Sequence, residues 1–176
     1  MVMPTGLKQT SSLITIGFTV TEGGVDTFTQ ARTDLQLNPL DNEVFVVQAV
    51  NMDPAAPDVN PGVNSSTSAS LTSTSQLGVA SLASSNCLAT SRDDIRTEAG
   101  LAATSAGVAF TRTSMETPPA GLDYIGIIAT NDFFVQLEGQ GNLLAKIVTG
   151  KMYGYRARAT SSIYAALVQS ELLSAN

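Results

Sequence analysis

Catalytic chemistry in a protein most often starts from a histidine, an activated thiol or converging carboxylates, and this chain of 176 residues has no histidine and one cysteine, Cys87. Without imidazole it lacks the commonest general base at neutral pH and the usual metal ligand. Cys87 has no histidine to draw off its proton and no second cysteine to pair with, so it reads as a small buried hydrophobe. Two carboxylate groupings remain. Asp93 and Asp94 are adjacent in "SRDDIRTEAG", where Ser91 as a cap and two acids in a first turn predict a helix start. Neighbours on a helix point about 100° apart, so capping rather than acid/base work is expected of them. Asp53 and Asp58 lie in "DPAAPDVNPG", which holds three of the seven prolines. Their spacing fits no strict calcium-loop pattern, and a solvated, conformationally restricted loop is the reading. No catalytic residue, metal ligand or cofactor site is assigned, and no enzyme is expected.

The third grouping is basic. The stretch "NDFFVQLEGQGNLLAKIVTGKMYGYRARA", residues 131 to 159, contains Lys146, Lys151, Arg156 and Arg158 out of nine basic residues. Lys146, Arg156 and Arg158 share even parity, so an unbroken strand projects them from one side, and Tyr153 and Tyr155 from the other. The cations are expected either at a subunit boundary or an inner wall, facing acidic neighbours or genome, or on an ordinary solvated strand face, since four charges make a weak patch; the tyrosines are core or interface anchors.

A large hairpin must position these groups. Phe133, Val135 and Leu137 share a face, "GQGN" at 139 to 142 makes the reversal, and the return strand runs from Leu143 to about Ala159. A strand that long would reach roughly 50 Å, so a bend at Gly150 or Gly154 is expected. Upstream, "SSLITIGFTVT" alternates apolar and polar residues with period two, "DTFTQARTDLQL" follows a Gly23-Gly24 turn, and "EVFVVQAVNM" is apolar on both faces. A strand of that last kind belongs inside a sandwich or under a neighbouring subunit. Residues 65 to 91 are rich in Ser, Thr and Ala, with leucines recurring often enough for strands with a hydroxyl-lined face. "GVAFTRTSMETPPAG" and "LDYIGIIATND" add two short strands. "TSSIYAALVQSELLSAN" places Ile163, Tyr164, Leu167, Val168 and Leu172 on one stripe, so a short amphipathic helix over 160–173 is predicted, with Tyr164 and Leu167 as further contact candidates. Too short to stand alone in water, it must dock on the sheet or on a partner.

About eight strands without helical crossovers predict an all-β fold: one antiparallel sandwich of jelly-roll type over residues 1–176, with a C-terminal helix. An immunoglobulin-like sandwich is the rival, but its Cys…Trp…Cys core is impossible with one Cys and no Trp. The chain is 43% hydrophobic and only 14% charged, a neutral polar surface that suits faces meeting copies of themselves. A net charge of −6 and a first decade holding only Lys8 argue against strong nucleic-acid binding. The start lacks the pattern of a signal peptide, and no window of 18 apolar residues predicts a membrane span.

The strands "LITIGFTVT", "VFVVQAVNM" and "FFVQLEGQGN…KIVTGKMYGYRA", the long Ser/Thr/Pro-rich connections and the sparse charge resemble the single jelly-roll coat proteins of icosahedral viruses, especially the small capsid proteins of tailless viruses of bacteria and archaea. The resemblance implies a virion protein that forms a ring or trimer of identical copies within a closed shell, assembled in the host cytoplasm, with a second capsid protein as a possible partner. Lack of a basic arm departs from many small RNA-virus coats and suits a shell around an inner layer or a genome condensed by other means. The alternative is a non-enzymatic β-sandwich binding module, a decoration or receptor- or glycan-binding protein; low aromatic content, 6% with no Trp, disfavours a sugar-stacking platform.

Overall fold

Alternation of apolar and polar residues decides where this chain becomes strand, and a computed structural model describes residues 3–97, 108–112 and 122–174. The strands are Leu7–Gln9 (β1), Ile14–Thr21 (β2), Thr29–Asp34 (β3), Glu43–Pro54 (β4), Ser65–Thr72 (β5), Cys87–Arg96 (β6), Val108–Arg112 (β7), Gly126–Ile128 (β8), Asp132–Gln140 (β9) and Ile147–Ala159 (β10), followed by the helix Ser161–Leu173 (α1). The Pro118-Pro119 end predicted for one strand lies outside the described residues.

Two antiparallel sheets result. In the first, β10 pairs with β4, β4 pairs with β8, and the other edge of β10 is taken first by β2 and then by β1. The second runs β3-β9-β5-β6-β7. The pairings are nested: β2 with β10, β3 with β9, β4 with β8, β5 with β6. Outermost strands join outermost and innermost join innermost, as in one long hairpin rolled up so that its rungs alternate between two sheets. That is the wiring of a jelly roll, with β1 and β7 added at the edges.

The sheets enclose a core of Val20, Phe45, Val47, Val50, Met52, Ala69, Leu71, Phe133, Val135, Leu137, Val148 and Met152. Phe18 of one sheet meets Phe133 of the other edge-on, with centroids 6.1 Å apart and planes at 73°, a geometry that suits aromatic quadrupoles. The other face of the first sheet is dry only where α1 covers it. There Val44, Val46, Tyr155 and Ala157 lie beneath Ile163, Tyr164, Leu167 and Val168 of α1. The two-sided apolar strand thus finds its second cover in the chain's own helix. Each such buried Val contributes about 1.5–3 kcal/mol.

The bend falls at Gly154. Gln48 is an extra residue in β4, between the pairs Ala49–Tyr153 and Val47–Gly154, and this bulge lets both Val47 and Val50 face the inner core. A side chain at 154 would strike the Val46 carbonyl oxygen and the Phe45 ring. β10 starts at Ile147 instead of Leu143, because the preceding residues form the turn described below.

Two expectations are corrected. Residues 91–96 are strand, not a helix start. Alternation overrides the cap signal: Ser91, Asp93 and Ile95 turn inward, while Asp94, on the other face, is clasped by Arg92 at 3.0 Å and Arg96 at 3.7 Å, partners that a strand, not a helix, places at i±2. The stripe of α1 also ends differently. Leu172 is exposed, and Glu171 is buried in its place, accepting hydrogen bonds from the Ala129 and Thr130 backbone N–H groups at 2.8 and 2.9 Å.

Two outcomes are expected. Gly154→Ala should lower unfolding free energy in denaturant melts by about 1–3 kcal/mol through overpacking. Burial raises the Glu171 carboxyl above its ordinary range, outweighing the N–H bonds that act to lower it, so its protonated form is favoured in the fold. Its contribution is then fully present below the ordinary carboxylate range and lost as pH rises through the folded value. Melts across pH 3–8 should show the wild type losing ground to Glu171→Gln as pH rises; the reverse trend would contradict the assignment.

Candidate assembly surface

Rolling the hairpin brings three connections to one end of the sandwich: the turn between β2 and β3, the proline-rich loop between β4 and β5, and the turn between β9 and β10. The glycines of the last turn make its tight path possible. Gly141 has φ of +66°, and a side chain there would strike the Asn64 carbonyl.

A polar latch ties the three together. Glu22 accepts the Gly139 N–H at 2.5 Å through one carboxylate oxygen and the Lys146 N–H at 2.6 Å through the other. Asp26 accepts both the backbone and side-chain N–H groups of Asn142, each at 3.2 Å. Asn142 in turn donates to the Ser66 carbonyl at 2.9 Å and accepts the Asp58 N–H at 2.9 Å. Asp58 closes the circuit: one oxygen accepts the Leu143 and Leu144 N–H groups at 2.9 Å, and the other meets the Lys146 ammonium at 2.6 Å. That ammonium, above all, holds the Asp58 carboxyl below its ordinary range, against a smaller upward push from burial. Asp58 is therefore a structural acceptor in a closed network, not a solvated loop carboxylate.

This latch holds apolar tips out to solvent. Val25, Val59, Val63, Leu143 and Leu144, all on the three latched connections, are exposed by 40% to 68%. Single exposed apolar residues are ordinary, but here five stand on three connections that hydrogen bonds tie together at one end.

The residues singled out from sequence scatter. Lys146 precedes β10 and is only 5% exposed in its pair with Asp58, so it does not join the two arginines. Arg156 and Arg158 do share a face of β10, as parity requires; Arg156 donates to the Leu35 carbonyl at 3.1 Å, and Arg158 pairs with Asp41 at 3.0 Å in the open. Tyr155 is buried under α1, where the half-buried Tyr164 and Leu167 of that helix pack against its cluster, and Tyr153 is half-buried on the same strand face as Tyr155. Sequence reasoning missed Glu22, Asp26 and Asn142. Their one legible signal was polar residues bordering two glycine turns, Gly23-Gly24 and Gly139–Gly141.

The hydroxyl-lined face of β5 is present but covered. Ser70, Thr72 and Gln136 are fully buried and hydrogen-bonded beneath the segment 73–86. Beside that segment lies a groove of about 650 Å³ bordered by Arg92, Arg96, Glu138 and Gln140; with Asp94, its charges balance. Among the described residues no helix is long and apolar enough to cross a membrane. Neither family models nor curated proteins give a match to this chain.

Removing the Lys146 charge should open the latch. Lys146→Met leaves Asp58 with only its backbone donors and should cost about 1–3 kcal/mol at neutral pH. Because the Asp58 carboxyl is depressed in the fold, this wild-type advantage is present above the ordinary carboxylate range and fades as pH falls through the folded value, which denaturant melts at several pH values will register.

Proposed function

We propose that the chain is a structural subunit of a virus capsid, joining identical copies through the latched loop end to build a closed shell. The observation that carries this reading is the clamped cluster of exposed apolar tips, Val25, Val59, Val63, Leu143 and Leu144, at one end of a jelly roll. Loops that must lose freedom on association weaken binding, and here the hydrogen-bond circuit has removed that freedom in advance. Apolar centres with neutral rims are what subunit contacts need, and a chain only 14% charged supplies the rim. Symmetric repetition of one patch then gives rings, and rings tile a shell. The net charge of −6 supports a reading in which another component contacts the genome, and no catalytic step is assigned.

The test is assembly itself. Wild-type protein should sediment as rings or particles visible by negative-stain electron microscopy, whereas Leu143→Asp combined with Leu144→Asp should sediment as a monomer with a melting temperature within about 2 °C of wild type. A wild-type chain that stays monomeric at high concentration, forming no particles, removes the shell reading and leaves a binding module.

A further inference from the structure

The inner face of β6 carries Ser91 and Asp93 in one row, and Asp93 stands directly across from Thr67 of β5. The same row continues into Ala89, Leu71 and Ala69 of the main core. Thr67 and Ser91 are 0% and 1% exposed. Yet Thr67 Oγ1, Ser91 Oγ and Asp93 Oδ1 are buried with no hydrogen-bond partner among the described residues.

Unpartnered buried hydroxyls destabilise a fold, and an unpartnered carboxylate oxygen does so more. Three of them in one row of a core otherwise lined with Ala and Leu require a reason. Nor, among the described residues, does a basic side chain compensate Asp93: Arg92 and Arg96 lie on the opposite face with Asp94, and Lys146 is held by Asp58. The electrostatic surroundings add negative charge instead, since after burial itself the Asp53 and Asp94 carboxylates push the Asp93 carboxyl upward. Oxygens that do not bond one another, one of them on a carboxylate without a basic partner among the described residues, are matched by a single cation shared between them. Asp93 is only half-buried, which leaves a way in from solvent.

We propose that Thr67, Ser91 and Asp93 form a binding site for a hard cation of calcium type between β5, β6 and the facing sheet. All three donors are oxygens, the preference of calcium and magnesium. One carboxylate and two hydroxyls leave several coordination positions to water in no fixed geometry, which calcium tolerates better than octahedral magnesium. With a single charged ligand the affinity belongs in the range of about 10⁻⁴ to 10⁻³ M. The site is separate from the latched loop end and does not depend on the shell reading.

The experiment follows thermal unfolding of the full-length Leu143→Asp, Leu144→Asp chain, kept monomeric so that assembly does not enter, in calcium chloride up to about 10 mM against sodium chloride of equal ionic strength. Calcium should raise the melting temperature by about 3 °C and magnesium by less, and adding Asp93→Asn should abolish the rise. Should Asp93→Asn fold poorly, Thr67→Val and Ser91→Ala keep the carboxylate, and calorimetric titration of each should give weaker calcium binding. No calcium response, the result for a site holding only water, overturns the proposal; so does an undiminished response in Asp93→Asn.

Discussion

Everything in this molecule depends on one stretch of a strand pair, Val44–Val47 of β4 against Gly154–Ala157 of β10, being dry on both sides. β4 and β10 share the longest register among the described residues; along this stretch they present apolar residues alternately to the space between the sheets and to the space under α1, whereas Asn51, Thr149 and Lys151 on the outer face are exposed. Neither face can be left in water, so the second sheet must close over one and the helix over the other. The bulge at Gln48 and the bare backbone of Gly154 let the pair bend between these two covers without leaving a gap. Glu171 then stitches the far end of the helix to the Ala129–Thr130 backbone, a place where an apolar residue would leave two N–H groups without an acceptor.

The jelly-roll wiring has a functional corollary. Nested pairing sends alternate connections to opposite ends, so loops far apart in sequence become neighbours. At the latched end a shared set of acids and amides holds them: Glu22, Asp26 and Asp58 come from separate stretches, and all converge on the turn carrying Asn142 and Lys146. A loop cluster tied this closely behaves more like a rigid face than like mobile surface, as the subunit contacts we propose would require.

How much of this was legible beforehand depended on whether a signal was local. Alternation in "LITIGFTVT" and the two-sided run "VFVVQ" announced β2 and β4. The helix position was clear from spacing at Ile163, Tyr164, Leu167 and Val168, although Leu172 and Glu171 exchanged the roles their polarity implied. The segment 91–96 went wrong because a cap residue and two acids imitate a helix start, whereas the deciding contacts, Asp94 with Arg92 and Arg96, depend on strand geometry. Lys146 was grouped with Arg156 and Arg158 on the assumption of an unbroken strand, and the turn before Ile147 separated them.

By itself, then, the amino-acid sequence determined the class of structure: period-two patterning makes strands, prolines and glycines end them, scarce charge leaves neutral faces, and the lack of histidine withdraws the commonest catalytic base. These are properties of short windows, and short windows are enough to set them. Only the tertiary structure decided which residues meet. Asp58 with Lys146 and Thr67 with Asp93 are pairs separated by tens of residues, and no local preference specifies such a pair. Their partners were chosen by the rolling of the sheets, which was driven in turn by the need to bury the apolar residues of β4 and β10.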